Sequence, residues 1–285
     1  MPHTMSRRRI LNITSEKKRD KMLPYSNSRV PVQGQPSESQ QGSGTYTVGP
    51  AIVTGGAVDP GMFLWCATAR DNDVNTTAGS GEGTKFDTAT RTATACYMRG
   101  LKEVIELQVS DGLPWQWRRI CFTFKGHENL DGAVTLGTTT PTAYQSYLET
   151  SSGYVRLLNQ VLLTDRTALY DLIYQGAQNQ DWYDPMTAKL DGERINIKYD
   201  KTCSLAAGNE SGFIRKYSRY HAMNETLIYD DDEVNGGINP GVTSTQTRHG
   251  MGDYWIIDLF RPRQGSTAAN RLSFAIESTL YWHER

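Results

Sequence analysis

No apolar run in this 285-residue chain approaches the roughly 18–20 residues that a membrane-spanning helix needs. The stretch from Met1 to Ile10 lacks the apolar segment of a secretory signal, so the chain is expected to be intracellular and soluble, with no membrane partner. Cysteine is scarce: Cys66, Cys96, Cys121 and Cys203 lie far apart, form no C-x-x-C pair, and each sits in an apolar or strand-like stretch. Buried free thiols are the expectation, and metal binding by them is not. Histidine is scarce too, and the five are scattered, which leaves no clustered H-x-H ligands for a metal. His127-Glu128-Asn129-Leu130-Asp131 begins like a zinc-protease motif but has Asp where the second imidazole must stand. There is no G-x-x-x-x-G-K-[ST]; Gly79–Thr84 is a glycine-rich loop with no phosphate-binding Lys after it. Gly208–Gly212 reads GNESG, so there is no G-x-S-x-G nucleophile elbow. These absences predict a protein that is not an enzyme, with no catalytic residues, no cofactor and no resident metal.

What is present points to β-structure. Apolar residues make up 38%, enough for one sizeable core, and tyrosine, with 15 copies, suits pleated, half-buried surfaces. Glycine (26) and proline (11) supply the turns that many short strands need. Strand-like runs recur between turn signals: Met62–Ala69, Thr92–Val109, Trp115–Phe124, Ala168–Tyr174, Arg194–Leu205, Phe213–Tyr220, Leu227–Tyr229, Tyr254–Phe260 and Leu272–Trp282. The pair flanking Asp111–Pro114 reads as a hairpin. In Trp115–Phe124 neither face is purely apolar, which suggests one buried side and one presented to a partner. Tyr144–Leu163 is the one helical candidate, interrupted by Ser151-Ser152-Gly153. Eight or nine strands in one block with long connections predict an all-β sandwich. The loops at Asp71–Arg91, Asn129–Tyr144 and Asp230–Gly252 are natural sources of contact surfaces.

Charge is distributed unevenly. Residues 1–22 hold Arg7, Arg8, Arg9, Lys17, Lys18, Arg19 and Lys21 against Glu16 and Asp20, a net +5, while the rest of the chain nets −6. A basic end on an acidic body reaches for a polyanion or serves as a nuclear-import element. Residues 23–50, rich in Pro, Ser, Gln and Gly, read as a linker, and 51–285 as the folded domain. Two further places interleave arginine with aromatics: Trp115, Trp117, Arg118 and Arg119, and Arg215, Lys216, Tyr217, Arg219 and Tyr220. Such mixtures hold phosphates while stacking unpaired bases, or else are core and subunit-contact aromatics with arginines that reach out to solvent. Two acidic segments have a metal-loop aspect. Asp71, Asp73, Asn75 and Glu82 fall at calcium-loop spacing, but Thr76 replaces the turn-making Gly and a solvated loop is the better reading. Asp230-Asp231-Asp232-Glu233 reads as an exposed acidic turn, with a divalent ion or an Arg partner across a subunit interface as the alternatives.

Several segments in order carry a family resemblance: Cys96-Tyr97-Met98-Arg99-Gly100-Leu101, Gly112-Leu113-Pro114-Trp115, and Trp117-Arg118-Arg119-Ile120-Cys121-Phe122. Near the start comes Ile13-Thr14-Ser15-Glu16-Lys17-Lys18-Arg19-Asp20-Lys21-Met22; later come His221-Ala222-Met223-Asn224, Tyr229-Asp230-Asp231-Asp232-Glu233 and Leu280-Tyr281-Trp282-His283-Glu284. From about residue 10 to the C-terminus the chain resembles the coat proteins of genomoviruses, small circular single-stranded DNA viruses. The resemblance implies an eight-stranded jelly-roll β-sandwich with a basic N-terminal arm and long inter-strand loops. It also implies a homo-oligomer, a sixty-copy T=1-type icosahedral shell packaging single-stranded DNA, located in the virion and host nucleus. A host nuclear-import receptor is a further expected partner of the arm. A net +5 is modest for such an arm, so further basic residues are expected on the inner wall. Two other readings stay open: a nucleic-acid-binding accessory protein that forms no shell, and a jelly-roll carbohydrate-binding module.

Overall fold

The computed structural model describes residues 13–26, 46–76, 79–126, 145–151, 153–161 and 163–284. Eight strands build the body: β1 Glu16–Met22, β2 Gly61–Cys66, β3 Ala95–Val109, β4 Trp115–Phe124, β5 Asn196–Leu205, β6 Phe213–Ile228, β7 Asp253–Pro262 and β8 Arg271–Glu284. They form two antiparallel sheets, one in the order β1-β8-β3-β6 and the other β5-β4-β7-β2. A short strand, Ala51–Thr54, extends the first sheet against the start of β8. The chain crosses between sheets from β1 to β2, β2 to β3, β3 to β4, β5 to β6, β6 to β7 and β7 to β8. Two Greek keys wound in this way are the jelly roll. The Asp111–Pro114 turn is therefore one of these crossings and not a hairpin: β3 pairs with β6 and β8, while β4 pairs with β5 and β7.

Alternation in sequence becomes alternation in burial. In β8, Leu272, Phe274, Ile276, Ser278, Leu280 and Trp282 point into the sandwich and the residues that alternate with them point out. β3 does the same, but its parity changes at Arg99–Gly100, where an extra residue faces the step between Tyr281 and Trp282. The second sheet behaves differently. One face, with Phe63, Trp65, Cys121, Tyr254, Ile256 and Phe260, packs on the first sheet. The other face, with Met62, Leu64, Ile120, Phe122, Trp255, Ile257 and Leu259, is covered by helix α1 (Leu163–Ile173) and the segment leading to Ile195. Both faces of Trp115–Phe124 are thus dry, and the partner expected for one of them is the chain's own helix.

The helix corrects two expectations. Ala168–Tyr174 is not a strand: Leu169, Tyr170, Ile173 and Tyr174 recur at helical spacing and pack on the sheet, while Thr167 and Ala168 are exposed. The described part of the helical candidate instead holds Glu149–Thr150 and Gly153–Tyr154, a small hairpin, and Arg156–Leu158, which runs parallel to Pro24–Ser26. The domain boundaries shift as well. β1 lies inside the sandwich, paired from Glu16 opposite Glu284 to Met22 opposite Ser278, so the arm ends before residue 16 and not at 22. Pro24–Ser26 and Thr47–Val48 also pair, and residues 27–45 of the expected linker lie outside the described residues.

The middle of the sandwich is ionic. Arg119 on β4 grips Asp258 on β7 with Nε and Nη2, both at 2.8 Å, and reaches Glu103 on β3 at 2.5 Å. Arg156 joins the same two carboxylates at 3.1 and 3.3 Å, with its guanidinium 4.2 Å above the Trp65 ring. Trp117 Nε1 donates to Asp258 and Ser278 Oγ donates to Glu103. All four charges are buried, and they balance two against two. Burial alone would raise the Glu103 carboxyl, but Arg119 and Arg156 outweigh it and bring it down to about 2. His221 on β6 lies 3.7 Å from Glu103; burial pushes it below its ordinary 6.5 despite that carboxylate.

The sign of the acid response follows. Below pH 6.5 the unfolded chain protonates His221 while the folded one resists, and below 4.5 the unfolded chain protonates Glu103 while the folded one resists down to about 2. Stability should therefore fall in two stages on acidification, the first below pH 6.5. Urea midpoints across pH 7 to 3 measure it; His221→Gln should reduce the first stage, to which His283, also held below 6.5, contributes, and leave the second.

Candidate nucleic-acid interface

The second sheet is covered on its outer face by α1, whereas among the described residues the outer face of β1-β8-β3-β6 is bare. Register and alternation bring distant residues together there. Lys17 stands opposite His283, which stands opposite Tyr97; Arg19 stands opposite Tyr281, which stands opposite Gly100. Lys21, Thr279, Lys102 and Tyr220 make the next row. Lys17, Arg99, Lys102, Tyr220, Tyr281 and His283 line a cavity of about 340 Å³. Lys21 meets Glu277 at 3.8 Å, both exposed, a contact worth little in water. Glu106, the second carboxylate of this face, is met by Lys216, and the other cations leave a positive excess. Burial, with Arg99 and Lys17 nearby, lowers the pKa of His283.

The bulge builds the cavity floor. Gly100 has φ +152°, and a Cβ there would meet His221 O at 2.5 Å and the Tyr220 hydroxyl and ring within 2.9 Å. Without that Cβ the Tyr220 ring lies down across the strand, its hydroxyl donating to Arg99 O at 3.2 Å, and it stays 56% exposed. Gly100→Ala should destabilise the fold by about 1–3 kcal/mol and lift Tyr220 off the sheet; thermal unfolding and tyrosine accessibility to nitration check it.

The residues expected to bind nucleic acid divide sharply. Arg7, Arg8 and Arg9 lie outside the described residues. Lys17, Arg19 and Lys21 project outwards on β1. Lys18 does not: its ammonium is buried, donating to Asp87 O at 2.8 Å and Thr84 O at 3.4 Å, 4.0 Å from Glu284. Trp115 and Trp117 are core residues, and Arg119 belongs to the buried ionic cluster. Arg118 holds Asp200 with two hydrogen bonds, at 2.9 and 2.7 Å, and Pro185 O at 2.8 Å. Nucleic-acid contact by these five is corrected: all five side chains lie inside, and the three cations among them are matched within the chain. Arg215 donates to Ala206 O over the Phe213 ring, Lys216 meets Glu106 at 2.9 Å, and the Arg219 guanidinium lies 5.6 Å above the Tyr217 ring. These three sit on the β6 edge, away from the cavity.

The face also contains residues the sequence reading passed over: Tyr97, Arg99, Lys102, Tyr281 and His283. Alternation in β3 and β8 marks them as outward, but only the pairing of β1 with β8 puts them beside Lys17 and Arg19.

The acidic segments fold locally. Asp73–Thr76 and Gly79–Glu82 form a hairpin with Asp73 opposite Glu82, and Asp71 accepts from the Asp73 amide at 3.0 Å. Asp231 takes Arg91 through two hydrogen bonds, at 2.8 and 2.6 Å. Asp231 is thus not part of a plain exposed turn: the arginine partner, the alternative that placed it across a subunit interface, is supplied by the same chain. Asp232–Val234 and Gly237–Asn239 continue as an exposed hairpin.

No family model matches the chain, and no curated protein matches it. Among solved structures, it aligns with the unassembled VP1 pentamer of KI polyomavirus at 10% identity over 100% of this chain and 98% of that one, with a TM-score of 0.13. A mutant unassembled VP1 pentamer of Washington University polyomavirus aligns at 12% identity over 99% and 98%, with the same TM-score of 0.13. Overlap at that level carries no argument; the jelly roll rests on the strand order itself.

Proposed function

We propose that this chain is a viral coat protein that assembles into a T=1-type shell around single-stranded DNA, as its genomovirus-like segments imply. The carrying observation is one of placement. β1 delivers the basic N-terminal residues to the corner of a jelly roll where the only bare sheet face among the described strands is cationic and aromatic. Phosphate binding by such a surface releases counterions and reads no sequence, which suits packaging of a whole genome. The arm proper carries Arg7, Arg8 and Arg9, and it is these, not the buried Lys18, that an import receptor would meet on the way to the host nucleus. Covering loops and hairpins around the sandwich supply the several different contacts that a closed shell requires.

The test is to express the full chain, treat the lysate with nuclease, and size the product by sedimentation and electron microscopy. Closed particles of uniform diameter containing protected DNA are expected. A monomer or dimer at all salt and pH conditions would sink the shell and leave an accessory DNA-binding protein.

A further inference from the structure

The cavity on the bare sheet face is more than a charged patch. It has a floor of rings and a rim of cations: Tyr220 lies flat across Gly100, Tyr281 stands in the neighbouring row, and His283 closes one end against Lys17. Arg99, displaced by the bulge, and Lys102 flank it from β3. Same-face rows on a strand repeat about every 7 Å, and neighbouring strands stand about 4.8 Å apart, so cation and ring alternate at short spacing. Its volume of about 340 Å³ falls within the roughly 300–1,000 Å³ of small-ligand sites.

We infer that this cavity is a nucleotide site for single-stranded nucleic acid, with an unpaired base stacked on Tyr220 and Tyr281 and its flanking phosphates held by Lys17, Arg99 and Lys102. The inference rests on the DNA-binding reading above and sharpens it. A duplex would offer the rim its phosphates but has no free base face for the floor, so the rings select for unpaired strands. The same geometry fixes polarity: the β1-β8-β3-β6 face turns towards the packaged strand, and the helix-covered sheet turns away from it. His283 sits where a bound phosphate would neutralise the cations now facing it. The arm leaves the fold at the same corner, since Lys17 is both the second residue of β1 and part of the rim.

The experiment uses the full chain and a fluorescent thymidine oligonucleotide of about ten nucleotides, within the site sizes of single-strand binders. Titrations compare it with a duplex of the same length, and an iodinated-uracil version is photo-crosslinked and mapped by mass spectrometry. Single-strand binding should exceed duplex binding, with crosslinks at Tyr220, Tyr281 or His283. Tyr281→Ala and Tyr220→Ala should each weaken it about tenfold, the loss of one base stack, with thermal unfolding checked alongside. Tyr220→Phe, which keeps the ring but not the hydroxyl bond to Arg99 O, should lose less affinity than Tyr220→Ala. Equal binding of duplex and single strand, or unchanged affinity in both alanine variants, would overturn the site. So would variants that alter particle formation while leaving oligonucleotide affinity intact, because the face would then be a subunit contact. Oligonucleotide binding is read on the protein whether or not particles form, so failure of the shell and failure of the site are separate results.

Discussion

Arg119→Met should destabilise the folded chain by about 3–5 kcal/mol, the loss expected when one partner of a buried charge cluster is removed. Two carboxylates, Glu103 and Asp258, would then share the single guanidinium of Arg156, shielded from bulk solvent. Glu103→Gln should be similarly damaging for the opposite reason, leaving two arginines on one aspartate. Replacing Arg119, Arg156, Glu103 and Asp258 together by apolar residues of matched volume should lose far less, because the desolvation of all four charges disappears with them. Chemical denaturation of the three variants measures the contrast. If Arg119→Met unfolds within about 1 kcal/mol of the parent, the cluster is solvated and the description of a dry ionic centre is wrong.

Removing residues 1–12 and removing residues 1–22 should give opposite kinds of result. The shorter deletion takes away Arg7, Arg8 and Arg9 but no described strand. Its product should fold as the parent does, and its affinity for single strands should depend less on salt, with the log–log slope lower by about 2 for three lost phosphate contacts. Protected DNA in particles should fall with it. The longer deletion removes β1 whole: Met22 leaves the core, Arg70 loses Asp20 and Glu284 loses Lys18. It also bares the edge of β8, a long strand ready to pair with another chain. Losing a buried Met alone costs about 2–5 kcal/mol, against a typical whole stability of roughly 5–15 kcal/mol, so this product should be insoluble. Circular dichroism and sedimentation of the two truncations decide it; a soluble, folded chain beginning at residue 23 would return the arm boundary to Met22.

How much of this was legible in the sequence depends on how local each cause is. Arg271–Leu280 alternates, and it lies in β8, half-buried as alternation requires. Leu169-Tyr170-Asp171-Leu172-Ile173-Tyr174 is too short and too apolar to distinguish strand from helix by period, and the covering role of α1 decided it. Arg118 and Arg119 look like surface residues because their carboxylates come from other strands, Asp200 and Asp258 far away in sequence and Glu103 from the facing sheet. The same non-locality hid the cavity on the bare face. Lys17 and His283 are 266 residues apart and meet only because the first and last strands pair. The basic character of the N-terminal stretch was plain; that its last seven residues are strand was not, since Glu16–Met22 carries its alternation in charged and polar side chains, with Lys18 and Asp20 on the inner side.

The pairing of β1 with β8 also sets an address for anything attached to the chain. Glu16 and Glu284 are opposite one another, so the two ends of the fold leave it side by side. A protein fused behind the last strand would emerge beside the arm and travel to whichever side of an assembly the arm occupies. In a closed particle with its arms inward, such a passenger becomes enclosed cargo, whereas one inserted at the Asp232–Asn239 hairpin tip would avoid that corner.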